Sequence, residues 1–332
     1  MIIPSSYSQW MQAKPIVDDA TGVGRVKQES GMANRAWYLV VPSFLVPLVA
    51  CSEASASYVG DRFFPSTLAT VVPTPADFVN FPQLMQLPDT GSREIDFPFS
   101  YSKLITPDWS VSFTANYRMV DRGSTRSGFD DLVLGTQYEL YSSAEDEFVF
   151  SAGGTLALGG TGSSDVGAKS FSTLTPTLYV GKGFGDLSDS LAWLRPVNVT
   201  ATLGVALPTE STTVTGATTV DNPDILQWGF ALEYSLLTNV HSTDKGNAHR
   251  FAEGLVPLVE FAMQTPLNGP SAGQTTGTIN PGVIWVGEYA QLGVEAIVPI
   301  NASSGRDIGV RAQLHFYLGN IFSNGIGKPI FD

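Results

Sequence analysis

The sequence predicts an all-β protein, a transmembrane antiparallel up-and-down β-barrel of about 12 strands. Three observations point to it. Segments of ten residues or so alternate apolar and polar positions, a stretch with the layout of an export signal precedes them, and short and long connections alternate between them.

The clearest strand is Ser110 to Met119. Val111, Phe113, Ala115, Tyr117 and Met119 fall on one face, and Ser110, Ser112, Thr114, Asn116 and Arg118 on the other. Ten residues of period two match a tilted membrane-spanning strand. The pattern recurs near 132–140, 197–207, 226–236, 291–300 and 310–318, and less cleanly at 94–105, 146–158, 170–184, 256–266 and 277–289. A soluble β-sandwich alternates as well. The length of the segments and the aromatic residues near their ends, such as Trp109, Tyr234, Trp285 and Tyr289, favour a barrel with interfacial girdles.

Connections at 106–108, 142–145 and 287–290 are short. Those at 120–128, 159–169, 208–223, 267–278 and 301–307 are mostly longer and rich in Gly, Ser, Thr and Asn. Segments 185–195 and 238–255 break the rule, being long on the short-turn side. If the short turns are periplasmic, parity demands one further strand before residue 94, and Phe78 to Leu87 is where it falls. Pro82 weakens that strand, and Pro98, Pro176, Pro257, Pro281 and Pro299 also fall in or near strands, where they are expected at bulges or ends.

Composition agrees. Charged residues are 15% of the 332-residue chain, which is low, while 43% are hydrophobic. The formal net charge of −13 argues against a nucleic-acid partner, since phosphate binding needs a basic face. No apolar run reaches the ~18 residues of a membrane-spanning helix. Cys51 is the sole cysteine, so no intrachain disulfide forms.

The domain reading is in four parts. Residues 1–31 are a polar extension whose irregular character fits a misassigned start, with Met32 as the true one. Residues 32–56 are a signal peptide: Arg35, then an apolar stretch, then small residues. Two cleavage sites compete. Ala54-Ser55-Ala56 suits ordinary signal peptidase, whereas Leu48-Val49-Ala50-Cys51 resembles a lipobox that would lipidate Cys51. Residues 57–77 form a periplasmic N-terminal segment and 78–332 the barrel.

Alternation puts Arg118, Glu139, Glu233, Glu260, Glu295, Arg311, Gln313 and His315 on the polar face, which in a membrane barrel is the lumen. They line either a solute pathway or a structural network closing a narrow barrel. His241 and His249 lie in one long connection at a spacing that matches no metal-ligand pattern, and no serine near His315 is marked by a motif, so neither a metal, a cofactor nor a catalytic set is indicated. The Gly-rich pieces at 159–162 and 181–185 lack the ending of a phosphate loop.

Three motifs carry a family resemblance: Tyr58-Val59-Gly60-Asp61-Arg62-Phe63-Phe64-Pro65, the segment from Phe171 to Asp186, and Gln313 to Leu318 followed by Gly327-Lys328-Pro329-Ile330-Phe331. Together they resemble the family named for the meta-pathway of phenol degradation, a group of outer-membrane transport barrels. The resemblance implies location in the outer membrane of a Gram-negative bacterium, lipid and a small solute as partners, and porin-like passage of small hydrophobic or aromatic compounds. It implies no enzyme activity. The chain departs from the usual barrel ending, because Asp332 follows the terminal aromatic Phe331. The barrel is expected to be a monomer, and three functions remain: a channel for small compounds, a structural or surface-interaction barrel with a closed lumen, and a barrel-embedded lipid hydrolase.

Overall fold

The computed structural model describes residues 57–88, 92–215, 218–235, 237, 252, 254–322 and 324–331. The expected signal peptide at 32–56, the extension at 1–31, Cys51, His241 and His249 lie outside the described residues.

Twelve long strands follow one another in the chain: β1 (Phe78–Gln86), β2 (Arg93–Thr106), β3 (Trp109–Asp121), β4 (Leu132–Ser143), β5 (Phe148–Leu158), β6 (Thr173–Gly183), β7 (Val197–Pro208), β8 (Ile225–Tyr234), β9 (Leu255–Pro266), β10 (Thr276–Val286), β11 (Ala290–Pro299) and β12 (Gly309–Tyr317). Each pairs antiparallel with its sequence neighbours. The last returns to the first, with Tyr317 opposite Phe78, His315 opposite Asn80 and Val310 opposite Gln86. Strands β1 to β2, β2 to β3 and β3 to β4 complete the circuit. The sheet is a closed twelve-stranded barrel, and closure removes the exposed edges that an open sheet of this size would carry.

The two faces are inverted relative to a soluble protein. Inside, the buried positions are polar: Asp96, Arg118, Ser151, Asn198, Thr200, Glu233, Glu260, Asn280, Glu295, Arg311 and Gln313. Outside, large apolar side chains stand open, and Leu174, Leu203 and Leu292 each expose 50% of their surface. An apolar outer belt around a polar lumen is the arrangement that hydrocarbon demands and water opposes. The barrel therefore spans a membrane.

The prolines fall where the hydrogen-bond ladder to one neighbour is interrupted. Pro82 and Pro98 share the gap where β1 and β2 part, between the Asn80–Ser100 and Met85–Asp96 pairs. Pro176 lies between the Leu207–Leu174 and Gly204–Thr177 pairs of β6 and β7. Pro281 lies between the Ile279–Val298 and Gly282–Glu295 pairs of β10 and β11. Pro257 is one step past the last β8–β9 pair, Glu233–Leu258, and Pro299 ends β11. Each missing N–H thus meets an existing break.

At the long-loop end a short strand, Thr125–Phe129, folds back on β3, and the β5–β6 connection turns inward as a 3-10 turn, Ser164–Val166. At the opposite rim the chain enters through a small hairpin of Tyr58–Val59 and Arg62–Phe63.

Candidate functional site

Residues 57–77 do not stay outside the barrel. Between Arg62 and Asp77 the sequence holds no charged residue, and almost all of that stretch is buried. It enters the lumen from the short-turn rim, reaches about mid-height, and returns to the same rim.

Its two ends are tied by charge. Arg62, fully buried, donates to Glu147 at 2.9 Å and to the Arg195 carbonyl. Asp77 accepts from Lys103 Nζ at 2.9 Å and from the Leu104 backbone N–H at 2.7 Å. The lower lumen between them is apolar: Phe63 and Leu68 pack with Val256 and Leu258 of β9, Ile284 and Val286 of β10, and Tyr317 of β12. Phe64 and Val59 pack on Val149 of β5. Small residues of the wall make room for the inserted chain. A Cβ on Gly293 would come within 2.7 Å of Leu68, and one on Gly181 within 2.7 Å of Pro73.

The tip is held by polar side chains. Glu260 accepts four hydrogen bonds: from the N–H of Leu68 at 2.7 Å, of Ala69 at 2.9 Å and of Thr70 at 2.6 Å, and from the Thr70 hydroxyl at 2.8 Å. Three successive N–H groups aimed at one carboxylate form a nest, a local concentration of positive partial charge. Gln291 accepts from the Ser66 N–H at 3.1 Å and donates back to its carbonyl, while Tyr317 donates to Gln291 at 2.6 Å. Gln137 donates to the Val72 carbonyl at 3.0 Å, and Ser151 to that of Pro73.

Above the tip, charges line the wall. Arg118 reaches Glu94 at 2.9 Å, Asp96 at 3.1 Å and Asp130 at 2.7 Å, and donates to the Val166 carbonyl of the infolded loop at 3.2 Å. Burial holds the Asp130 carboxyl above the ordinary aspartate value, although Arg118 pulls it down. Burial likewise pushes the Lys169 ammonium below the ordinary lysine value, against the opposing pull of Asp130. Arg311 pairs with Glu295 at 2.8 Å and touches Met85.

Arg118, Glu233, Glu260, Glu295, Arg311, Gln313 and His315 are all buried on the inward face, and Glu139 is half-buried on the same face near the short-turn rim. Glu260, Glu295 and Arg311 gather on β9, β11 and β12; Arg118 belongs to the separate cluster on β3. His315 Nδ1 lies 2.7 Å from Asn80 Oδ1, which also accepts from Gln313 at 2.9 Å, and its ring lies between Phe78 and Tyr317. An amide oxygen, not a carboxylate, thus meets the ring nitrogen.

Sequence reading missed the insertion and its holders Gln291, Gln137 and Ser151. Alternation alone puts these three on the inward face. The uncharged run between Arg62 and Asp77 was the available signal for the insertion.

No protein-family model and no curated protein matches this chain. Solved structures do. An outer membrane channel from Pseudomonas putida F1 is similar at 12% identity and a TM-score of 0.49, covering 74% of this chain and 96% of that one. The NanC porin is similar at 7% identity and a TM-score of 0.44, covering 72% and 98%, and the KdgM porin at 11% identity and a TM-score of 0.41, covering 72% and 98%.

Proposed function

We propose that this protein is a channel of a Gram-negative outer membrane, and that it passes small solutes through a lumen gated by its own residues 57–77. The observation that carries this reading is the mode of attachment of the inserted segment. Its tip is held by hydrogen bonds to Glu260, Gln291, Gln137 and Ser151, all reversible contacts, and it enters and leaves by one rim. A segment seated that way withdraws without unpicking a single barrel strand. The eight inward residues, with Arg118 at one wall and Glu233, Glu260, Glu295 and Arg311 at the other, line the pathway that opens. Membership in the phenol meta-pathway family, and passage of hydrophobic or aromatic compounds, are supported by the motif resemblance at 58–65, 171–186 and 313–331.

The rival closed-lumen reading draws on the near-complete burial of the same side chains. Conductance in planar bilayers separates the two. The channel reading expects openings in the wild type that become more frequent in Glu260→Gln, where the tip loses its charged acceptor. A silent wild type and a silent variant, both folded, would leave the structural barrel.

A further inference from the structure

The wall that holds the tip carries more acceptors than the tip uses. Glu233 on β8, Glu260 on β9, Asn280 on β10 and Glu295 on β11 are each 0–1% exposed. Asn280 stands directly opposite Glu260 in the β9–β10 register and so shares its inward face. Yet neither its Oδ1 nor its Nδ2 has a hydrogen-bond partner among the described residues. Glu233 gives Oε2 to Asn198 at 2.8 Å and leaves Oε1 without a partner. Gly282 lies opposite Glu295, where a Cβ would meet the Glu295 Cβ at 2.7 Å. Glu295 leaves its own Oε2 without a hydrogen-bond partner among the described residues. Arg311 pairs with Glu295 at 2.8 Å.

Buried amides and carboxylates are ordinarily satisfied, and those that are not call for a reason. The donors now on Glu260 indicate one. They are three backbone N–H groups and one hydroxyl converging on one carboxylate at 2.6–2.9 Å, and a protonated primary amine presents three N–H donors in compact form.

We propose that Glu260, Asn280, Glu295 and Glu233 form a binding site for the primary ammonium group of a small solute, and that the 68–70 tip occupies it as an internal stand-in. The ammonium donates to Glu260 in place of the tip N–H groups, and to Asn280 Oδ1 and Glu233 Oε1, which the tip leaves unused. Its charge answers the acid excess that the peptide answers only with partial dipoles. Binding and withdrawal of the tip are therefore one competition. The site rests on the channel reading for its route of entry, and it specifies the class of solute.

The test is calorimetric titration of n-butylammonium chloride into the full-length protein in detergent, with potassium chloride and sodium butyrate as matched controls. Saturable binding of n-butylammonium, absent for both controls, is expected. Glu260→Gln should weaken it about tenfold or more. Asn280→Ala should weaken it severalfold without touching the tip. Thr70→Val, which removes one competing donor from the tip, should tighten it. Heat-dependent gel mobility checks that each variant is folded. The site is overturned if neither wild type nor Thr70→Val binds n-butylammonium, if potassium competes equally, or if Asn280→Ala and Glu260→Gln bind as the wild type does. Conductance on the same preparation keeps the two readings apart. Binding without conductance sinks the channel and keeps the site, and conductance without binding does the reverse.

Discussion

Arg118 is fully buried and serves Glu94, Asp96, Asp130 and the Val166 carbonyl at once. Removing it strands three acids in a dry wall, so Arg118→Ala should destabilise the barrel by about 3–5 kcal/mol, read as a lower urea midpoint. The same cluster has a pH signature. Asp130 keeps its proton to higher pH in the folded barrel than in the unfolded chain. Its contribution to stability is thus full below the unfolded aspartate value and is lost as pH rises through the folded one. Against Asp130→Asn, whose side chain does not titrate, the wild type should gain stability as pH falls toward the ordinary aspartate range. A difference that grows in the opposite direction would show that Arg118 outweighs burial there. The outward residues obey another solvent. Phe113 packs on Phe99 outside, and its neighbour Thr114 is buried inside. Phe113→Lys places a cation in lipid and should cost about 2–4 kcal/mol near the midplane. Thr114→Lys should be better tolerated, and equal yields of folded protein from both would contradict the inverted faces.

At the scale of elements, period two was enough to find the strands, because membrane and lumen impose opposite chemistry on alternate residues. Even the strand weakened by Pro82 emerged from parity at Phe78 to Leu87, and the structure has it at Phe78–Gln86. Ends were less legible. The expected strand at 277–289 stops at Val286, because Gly287 turns the chain with its N–H bonded to the Ala290 carbonyl. The content of the lumen was not legible at all. Alternation says that Glu260 faces inward but cannot say that it meets Leu68, Ala69 and Thr70, nearly two hundred residues earlier in the chain. Those contacts arise from closure of the whole circuit and leave no local period. The insertion makes its own prediction. In a Cys51→Ser background, Ala69→Cys should resist a water-soluble thiol reagent and become reactive when combined with Glu260→Gln. Equal protection in both would mean that Glu260 is not what holds the tip.

The whole molecule should behave as its faces dictate: extracted only with detergent, and changed in gel mobility by heating. It also carries a consequence for how such a chain is made. The inserted segment lies near the start of the described chain, but its holders are far along it. Ser66 meets Gln291 across 225 residues and Leu68 meets Glu260 across 192. The residues synthesised early therefore have nowhere to go until strands near the other end are in place. Contacts of such long separation form slowly, because the intervening loop must be closed first. Meanwhile the uncharged stretch after Arg62 waits in water with Phe63, Phe64 and Leu68 uncovered. Assembly has an imposed order, wall before filling, and the interval between them is when this chain is most in need of a companion that shields apolar peptide.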